Sequence, residues 1–388
     1  MAKIKQIIGR KILDSRGKPT VEVQVTTDEG MMATDSVPSG TSTGTHEAAL
    51  VDVDVAVSNT NQVIAPEIVG LEVTLQEEID RKMIVLDGTE NKNRLGANAM
   101  LGVSLAVARA GAISEKIPLY RYLNQLFKKS SGLEVKPSIP EPMMVMVCGG
   151  KHVEPANKLC IQEFLVLGDL EDGITIWHTL EGIFKQKGIS YQIGLEGAFA
   201  PDLENDVEAL EILNQAMEES LANLKGEVKL GLDIAGNNCK LSNRQILEMF
   251  KQYHLFSLED PFSEEDWERF GQLKLELEEL KVPFLLLGDD LFATHKALLE
   301  KGINQLVSNG IIIKPNQVGN LTEVFEVMKI AYGAQYSCVV SHRSGETADT
   351  FIADLAVGTG AKFLKSGAPI PSERLLKYHR LQEIAGEL

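Results

Sequence analysis

The sequence predicts an α/β protein in which a small N-terminal α+β domain precedes an eight-stranded barrel of the ββαα(βα)6 type. The main observation is a series of six short apolar runs, each followed by an amphipathic stretch, at intervals close to the roughly 30 residues of one βα unit. Each run ends at an ionisable residue: Asp233, Glu259, Asp289, Lys314, His342 and Lys365. Active sites of such barrels lie at the carboxyl ends of the strands, so these six side chains are expected to converge on one mouth.

The N-terminal segment has a different pattern. Residues 1–34 alternate polar and apolar positions around a DEG turn, which predicts an antiparallel meander. Helical patterns follow around residues 50–67 and 73–85, and then in GANAMLGVSLAVARAGAI, whose nearly uniform apolar composition predicts a buried helix. One more helix, PLYRYLNQLF, opens at Pro118. We therefore predict an α+β domain over residues 1–127.

The second domain is predicted to begin after a linker. Residues 128–142 are rich in Lys, Ser, Gly and Pro, which is typical of a connection between domains, and residues 143–388 then form the barrel. At its start, MMVMV and IQEFLVL are predicted strands, and helical patterns follow around residues 173–187 and 203–221. With the six βα units, these elements give eight strands whose first part is irregular.

Bulk composition narrows the possible functions. The chain has 388 residues, 44% of them hydrophobic and 24% charged, which is ordinary for a globular protein of two domains. Its net charge of −17 argues against nucleic-acid binding, which requires a basic surface. An anionic substrate must therefore be held by a local basic cluster or by bound cations. No window approaches the ~18 uninterrupted apolar residues of a membrane span.

The cysteines give no clear motif. Cys148, Cys160, Cys239 and Cys338 are widely spaced, without a CxxC pair, and the chain starts without the long apolar segment of a secretory signal. We therefore expect a cytoplasmic protein with reduced core cysteines. A zinc site is the less favoured alternative.

Three of the strand-end residues predict a metal site. Asp233, Glu259 and Asp289 offer only oxygen ligands, which suit Mg²⁺ better than a transition metal. Converging carboxylates are costly to keep ionised without a cation. Asp290 is expected to support a ligand or a lysine from the next position.

Two strand-end lysines lie across the predicted barrel from these acids. An ammonium group beside other positive centres loses its proton more easily, so either Lys314 or Lys365 could serve as a general base. The alternative is that the lysines only neutralise the carboxylates.

Two motifs are candidates for phosphate binding. The loop PSGTSTG (38–44) can present backbone N–H groups to a phosphate or place Ser39 on a metal, although such a loop alone is more often an ordinary connection. SHRSGET (341–347) is more informative, because it places a histidine, an arginine fork and a serine just past a strand end.

Two further segments carry ionisable residues whose role is less certain from the residues alone. His152, Gln162 and Glu163 lie around the start of a predicted strand, and Glu196 lies in a Gly-bounded loop, GLEGAFAP. By themselves, such segments are more often solvated loops than catalytic elements.

Together these segments resemble the enolase (phosphopyruvate hydratase) family along nearly the whole chain. Several of the matching strings are long and uncommon, so the resemblance is specific. It extends over ILDSRGKPTVEV, PSGTSTGTHEA, LDGTENKNRLGANAMLGVSLAVARA, IQEF, SLEDPF, DDL, IIIKPNQVGNLTE, SHRSGETADTFIADLAVGTG and KSGAPIPSERLLKY. The fold it implies is the α+β domain and ββαα(βα)6 barrel predicted above.

The resemblance implies the reversible, Mg²⁺-dependent dehydration of 2-phosphoglycerate to phosphoenolpyruvate in glycolysis and gluconeogenesis. Of two Mg²⁺ ions in each active site, the first would be held by Asp233, Glu259 and Asp289 and the second would be joined by Ser39.

The resemblance also implies roles in acid–base chemistry and substrate binding. Lys314 would remove the proton from carbon 2, and Glu196, supported by Glu163, would protonate the leaving hydroxyl on carbon 3. The substrate would be held by Lys365 at its carboxylate, by Arg343 and Ser344 at its phosphate, by His152 from a mobile loop, and by Gln162 and His342 along the site.

Several departures from the family pattern fall on loops. The segment after THEA is shorter than usual, Leu195 replaces an Asp of the GDEGG string, and Pro315 directly follows the proposed base. We expect Leu195 to keep Glu196 protonated if it packs against that carboxyl group, because desolvation raises a carboxyl pKa. These changes affect loop closure, rate and association more than the reaction itself.

A homodimer or higher homo-oligomer is expected. Two alternative functions remain open at this point. One is a catalytically weak protein with the enolase fold that is retained for binding. The other is a superfamily relative that acts on another carboxylate.

Overall fold

The N-terminal part of the protein contains a three-stranded antiparallel sheet. The computed structural model describes residues 2–40, 44–153, 157–370 and 372–388. The strands β1 (Ile4–Leu13), β2 (Pro19–Thr27) and β3 (Met32–Ser36) pair in the order β1-β2-β3. The meander predicted for this segment is confirmed. Part of the PSGTSTG loop, residues 41–43, and part of the segment between His152 and Gln162, residues 154–156, lie outside the described residues.

Helices cover this sheet. They are α1 (Val53–Asn59), which continues through a π-helical turn (Thr60–Ile64) into α2 (Ala65–Ile68), then α3 (Gln76–Asp87), α4 (Ala97–Glu115) and α5 (Leu119–Ser131). By length and composition alone α4 could cross a membrane, but 83% of its most apolar window is buried inside the protein. It is therefore the central core helix that its apolar sequence predicted.

The rest of the chain forms a closed eight-stranded barrel. The strands of this part are β4 (Glu141–Cys148), β5 (Glu163–Leu167), β6 (Tyr191–Ile193), β7 (Phe199–Pro201), β8 (Lys229–Asp233), β9 (Leu255–Glu259), β10 (Leu285–Gly288), β11 (Gly310–Ile313), β12 (Ser337–Ser341) and β13 (Phe363–Lys365). The barrel follows the order β4-β5-β8 and on to β13, which pairs back with β4. β5 is antiparallel to both neighbours, and the other barrel pairs are parallel. This arrangement confirms the predicted ββαα(βα)6 fold.

Helices surround the barrel. They are α6 (Leu170–Lys187), α7 (Asp206–Ser220), α8 (Asn243–Gln252), α9 (Trp267–Glu279), α10 (Lys296–Gln305), α11 (Pro315–Val318), α12 (Leu321–Gly333), α13 (Phe351–Thr359) and α14 (Glu373–Ala385).

The hairpin of β6 and β7 was not predicted, because GLEGAFAP, which contains both the turn and β7, looks like a loop. The hairpin extends the sheet through a pairing of β7 with β4. An aromatic cluster anchors it: Phe199 stacks on Trp177 with ring centroids 4.3 Å apart and meets Tyr191 edge-on at 4.9 Å. Contacts of this kind join residues far apart in sequence and leave no local pattern.

A buried carboxyl group joins the two domains. Asp80 on α3 accepts hydrogen bonds from the backbone N–H of Thr322 at 3.0 Å, from its hydroxyl at 2.7 Å, and from Gln76 Nε2 at 3.1 Å. The carboxyl group therefore caps the start of α12 from the neighbouring domain. Burial raises the pKa of Asp80 to about 6, against the opposing effect of these hydrogen bonds.

This pKa predicts a pH-dependent stability. The folded pKa lies above the unfolded value of about 3.9, so the contribution is complete below that value and is lost as the pH rises through about 6. Asp80→Asn removes the titrating group. Between pH ~3.5 and ~7.5, the unfolding free energy of the natural protein should fall by about 3 kcal/mol more than that of the variant. Urea denaturation across this range measures the difference, and parallel curves would contradict it.

Two of the four cysteines form a disulfide. Cys160 is bonded to Cys239, with Cα atoms 5.2 Å apart, whereas Cys148 and Cys338 are free and buried. The prediction of reduced core cysteines is therefore wrong for the first pair and confirmed for the second. Cysteine connectivity cannot be deduced from sequence alone, and here the two partners are separated by 79 residues.

The disulfide is expected to stabilise the fold. Closing a loop of 79 residues restricts the unfolded chain, which corresponds to about 2–4 kcal/mol. The double variant Cys160→Ser and Cys239→Ser should lose this free energy of unfolding. A reductant should destabilise the natural protein by a similar amount and leave the double variant unchanged. Chemical denaturation with and without reductant tests this, and a double variant as stable as the oxidised protein would refute it.

Candidate active site

The strand ends bring the predicted charged side chains to one mouth of the barrel. Three of them end a strand and three directly follow one: Asp233 on β8, Glu259 on β9 and Lys365 on β13, then Asp289 after β10, Lys314 after β11 and His342 after β12. Because β5 runs antiparallel, its first residue, Glu163, lies at the same end, opposite Asp233 in register. The predicted convergence is confirmed.

These side chains surround a polar cavity. Its lining includes His152, Gln162, Glu163, Glu196, Asp233, Asp289, Lys314, His342, Arg343, Ser344 and Lys365. The unpredicted residues Gly40, Glu47 and Asp260 line it as well, together with Asp290. Glu259 lies behind this surface, bonded to Lys365.

Lys365 is the centre of a buried charge cluster. Its Nζ lies 2.7 Å from Glu163 Oε2, 2.8 Å from Glu259 Oε2 and 3.3 Å from Asp233 Oδ2. Burial disfavours the ammonium form, but the charges of Glu163 and Glu259 outweigh it and raise the pKa of Lys365 well above its usual value. The other oxygen of Glu259, Oε1, is buried without a hydrogen-bond partner among the described residues.

Lys314 is paired with a neighbouring acid. Its Nζ bonds to Asp289 Oδ2, and Gln317 Nε2 donates to Asp289 Oδ1 at 3.2 Å. Burial and the charges of Arg343 and Lys365 lower the pKa of Lys314, but Asp289 outweighs them and the net pKa is raised. The expectation that neighbouring cations make the ammonium group of Lys314 easy to deprotonate is therefore wrong for this arrangement.

Pro315 is compatible with the position of Lys314. The backbone of Lys314 is extended, with φ −123° and ψ 103°, which is the conformation that a following proline favours. Pro315 occupies the first turn of α11, where a backbone N–H is not needed. The Lys314 N–H donates to Thr294 Oγ1 at 2.9 Å, which holds the strand end in place.

Two histidines face the buried carboxylate of Glu196. His152 Nδ1 lies 3.6 Å from Glu196 Oε2 and 3.3 Å from Glu163 Oε1. His342 Nε2 lies 3.4 Å from the same oxygen, Glu196 Oε2. Burial lowers the pKa of His152, but the charges of Glu196 and Glu163 outweigh it, and the net pKa is raised.

Leu195 does not keep Glu196 protonated. Burial does raise the pKa of the Glu196 carboxyl group, but the positive charges of His152 and Arg374 outweigh it, and the net pKa is lowered. Desolvation, which was expected to dominate if Leu195 packs against Glu196, does not dominate the pKa of this carboxyl group. The sequence could not show this, because Arg374 reaches the site from α14, far along the chain.

Arg343 holds an internal anion. Its Nη1 and Nη2 bond to the two carboxylate oxygens of Glu47 at 2.9 and 3.1 Å, and Nη1 also donates to Asn316 Oδ1 at 3.2 Å. The fork therefore binds a carboxylate bidentately, the geometry that also suits a phosphate. Glu47 was missed because it lies on a loop, although its THEA string was noted in the resemblance.

The hydroxyl group of Ser39 forms hydrogen bonds with residues that lie outside the carboxylate cluster. Its hydroxyl donates to Asp14 Oδ2 at 2.8 Å and accepts from Arg16 Nη2 at 2.7 Å. Backbone hydrogen bonds join Ser39 to Gly345 of SHRSGET, so the two candidate phosphate motifs are adjacent. Within the described part of this loop, Gly40 rather than Ser39 lines the cavity.

The carboxylates fit a hard divalent cation. Oxygens of Asp260, Asp289 and Asp290 lie within 4.8 Å of one another, close enough to share one ion. Burial, with the charges of Asp290 and Asp289, raises the pKa of Asp260 well above its usual range, a cost that a cation would relieve. Asp233 and Glu259 share the ammonium of Lys365 instead. The sequence pattern did not indicate Asp260, because it points to the residue that ends each apolar run, which here is the preceding Glu259.

Comparison with known proteins now identifies the family. The family models described as "Enolase, N-terminal domain" and "Enolase, C-terminal TIM barrel domain" match residues 4–123 and residues 136–245 and 237–388. The enolase of Elusimicrobium minutum (strain Pei191) is 41% identical, over 100% of this chain and 97% of that protein. The chain belongs to the enolase family. It is accordingly an enzyme, a carbon–oxygen lyase of the phosphopyruvate hydratase type, and the family implies a divalent metal.

Proposed function

We propose that the protein catalyses the reversible, Mg²⁺-dependent dehydration of 2-phosphoglycerate to phosphoenolpyruvate, a step of glycolysis and gluconeogenesis. The main support is the composition of one cavity. A base candidate, Lys314, and an acid candidate, Glu196, line it together with an anion-binding fork, Arg343. An elimination from a phosphorylated hydroxy acid needs these three functions around one substrate.

The first chemical problem is the weak acidity of carbon 2. Its proton lies next to a carboxylate, and removing it makes that carboxylate doubly negative. Bound Mg²⁺ would supply positive charge where this negative charge develops. We propose that Asp233, Glu259 and Asp289 hold the first of two Mg²⁺ ions and that the buried ammonium of Lys365 neutralises the substrate carboxylate.

Lys314 is the proposed base for the carbon 2 proton. Its ammonium group is held by Asp289. Once Asp289 is engaged elsewhere, the groups left facing Lys314 include Arg343 and Lys365, and both lower its pKa. Lys314 therefore stays protonated while it is paired with Asp289, and it can act as a base once a bound ligand engages Asp289.

Glu196 is the proposed acid for the leaving hydroxyl on carbon 3, supported by Glu163. Its lowered pKa means that it must first gain a proton. His152, 3.6 Å from Glu196 Oε2, has a raised pKa and keeps its proton, so substrate binding must weaken this charge pair before Glu196 can be protonated and transfer the proton to the leaving hydroxyl. Burial of both carboxyl groups keeps bulk water away from this transfer.

Arg343 and Ser344 are proposed to hold the phosphate, which requires Glu47 to leave the arginine fork. His152 would close over the substrate, with Gln162 and His342 lining the site. Ser39 would have to leave Asp14 and Arg16 to join the second Mg²⁺ ion as the resemblance implies.

We further propose a domain boundary within 128–142, between domains 1–127 and 143–388, a homodimer or higher homo-oligomer, and a cytoplasmic location. The Cys160–Cys239 disulfide counts against the last point, because disulfides are rare in cytosolic proteins. Differential alkylation of the protein in cells would measure how much of this pair is oxidised.

An ultraviolet assay of phosphoenolpyruvate formation tests the proposed function. We expect turnover of 2-phosphoglycerate with Mg²⁺ and none with a chelator. A hydroxy acid without the phosphate is the matched control and should not react. A folded protein that binds 2-phosphoglycerate without turnover would favour a binding role, and turnover of the non-phosphorylated acid would favour a different carboxylate substrate.

A further inference from the structure

Arg374 reaches the site from a helix and not from the end of a strand. It belongs to the first turn of α14, and its side chain is fully buried. Its Nη2 donates to the carbonyl oxygen of Ser344 at 2.7 Å and to that of Leu195 at 3.3 Å. The guanidinium group thus ties the SHRSGET segment to the loop that carries Glu196.

Arg374 Nη1 also donates to the carbonyl oxygen of Arg343, and Nε pairs with Glu373 Oε1 at 3.0 Å. A further contact of Nη1 determines where the proton of His342 resides. Nη1 lies 2.7 Å from His342 Nδ1. A guanidinium group carries only donors and does not lose its proton in proteins. His342 Nδ1 must therefore accept, which leaves the single proton of the neutral ring on Nε2.

This tautomer matters because of what faces the other nitrogen. His342 Nε2 lies 3.4 Å from Glu196 Oε2. With the proton on Nε2, the positive end of the N–H dipole lies next to the carboxylate. This is an electrostatic contact and not a formed hydrogen bond, because Glu196 Oε2 has no hydrogen-bond partner among the described residues. With the opposite tautomer, a nitrogen lone pair would face the carboxylate oxygen and repel it.

We propose that Arg374 is a positioning residue that fixes His342 as the neutral Nε2-protonated tautomer, so that His342 presents an N–H to Glu196 and cannot accept a proton from it. The proposal rests on the proposed role of Glu196 as the acid. It also excludes His342 as the base of the reaction, since its only lone pair is occupied by the Arg374 N–H.

The other charged groups around His342 do not fix its tautomer. Besides Glu196 and Arg374, the ionisable groups that act on it are Glu163, Lys365 and Lys314. Burial, followed by the charge of Arg374, lowers the pKa of His342 well below its usual value, so the ring stays neutral. Without Arg374, burial and the charges of Lys365 and Lys314 would still oppose a second proton, but the largest opposing charge would be gone and Nδ1 would be free to accept one.

The proton position can be measured directly in the ligand-free protein by ¹⁵N NMR of histidine-labelled protein, with His342→Asn to assign the signal. We expect a protonated Nε2 and an unprotonated Nδ1 across the range from about pH 5 to 8. A protonated Nδ1 would overturn the proposal. This measurement needs no turnover, so a failure of the proposed reaction would leave its outcome readable.

Kinetics provide the second test. Arg374→Met should lower kcat about 10–100-fold, as for other residues that orient a functional histidine, with a smaller change in KM. A new ionisation should enter its pH–rate profile between about pH 5 and 8. Arg374→Lys, which keeps one N–H donor, should recover part of the activity.

Arg380→Met is the matched control on the same helix, because it removes an ion pair with Asp354 at 2.9 Å. It should leave the pH–rate profile unchanged. A folded Arg374→Met with the profile of the natural protein would overturn the proposal. If that variant does not fold, Arg374→Lys and the NMR measurement decide, since a tautomer other than Nε2–H in the natural protein is sufficient to refute it.

Discussion

Replacing Lys314 with alanine is expected to lower kcat for phosphoenolpyruvate formation by about 10²–10⁴-fold, the usual loss for a general base. The barrel should remain folded. Lys314 lies after the end of β11 in a cavity, and its removal leaves Asp289 with the hydrogen bond from Gln317. The loss should appear in kcat, because the lysine acts in the transition state for proton removal.

Lys314→Arg is the sharper variant. It keeps a positive charge beside Asp289, but a guanidinium group does not lose its proton in proteins and cannot serve as a base. If Lys314 acted only by neutralising Asp289, the arginine variant would retain most of the activity. We expect it to be nearly as slow as the alanine variant.

Exchange of the carbon 2 proton of 2-phosphoglycerate with deuterated water isolates the step in question. Both variants should exchange much more slowly than the natural protein, whatever the rate of hydroxyl loss. Exchange at the natural rate in Lys314→Ala would show that another group removes the proton.

The positions of the main charged residues could be predicted because local rules govern them. Asp233, Glu259, Lys314 and Lys365 each follow an apolar run of strand length, and parallel strands bring their carboxyl ends together. Glu163 follows the same logic in reverse, because β5 is antiparallel and its start lies at the mouth.

What could not be predicted depends on contacts between distant segments. Arg374 lies on the last helix and reaches the site through the backbone of Ser344 and Leu195. Glu47 meets Arg343 across the boundary between the two domains. Neither residue stands in a periodic pattern, and their strings were informative only through the family resemblance.

The protonation states of the site could not be predicted from the sequence either. The sequence predicts that Lys314 or Lys365 loses its proton easily and that Glu196 stays protonated if Leu195 packs against it. In the structure the pKa of Lys314 is raised and that of Glu196 is lowered. In each case an oppositely charged partner outweighs burial or like charges. The balance depends on distances of a few ångströms, which no spacing of residues encodes.

The Asp290 carboxyl group, next to the proposed metal ligand Asp289, illustrates the cost of this arrangement. Burial, followed by the charge of Asp289, raises its pKa to about 7. A cluster of acids that resists ionisation is stabilised when a cation binds, so the ligand-free site is expected to gain stability with metal.

Removing divalent cations is therefore expected to abolish turnover, and restoring Mg²⁺ should recover it. Mg²⁺ should also stabilise the fold independently of activity, by about 2.7 kcal/mol at a concentration 100 times its Kd. Thermal or urea denaturation in chelator and in Mg²⁺ measures this gain. Robust turnover in chelator would contradict the metal dependence.

Glu259→Gln tests which carboxylates hold the ion. The substitution keeps the size of the side chain and leaves Lys365 paired with Glu163 and Asp233, so the fold should be retained. In the natural protein, Glu259 Oε1 is buried without a hydrogen-bond partner among the described residues, so this oxygen is available to a cation. We expect the variant to lose most of the stabilisation by Mg²⁺ and to lose turnover with it.

Glu47→Gln is the matched control, because it removes a cavity carboxylate that is bound to Arg343 instead, and it should keep the response to Mg²⁺. An equal gain in stability in both variants would show that Glu259 is not a ligand.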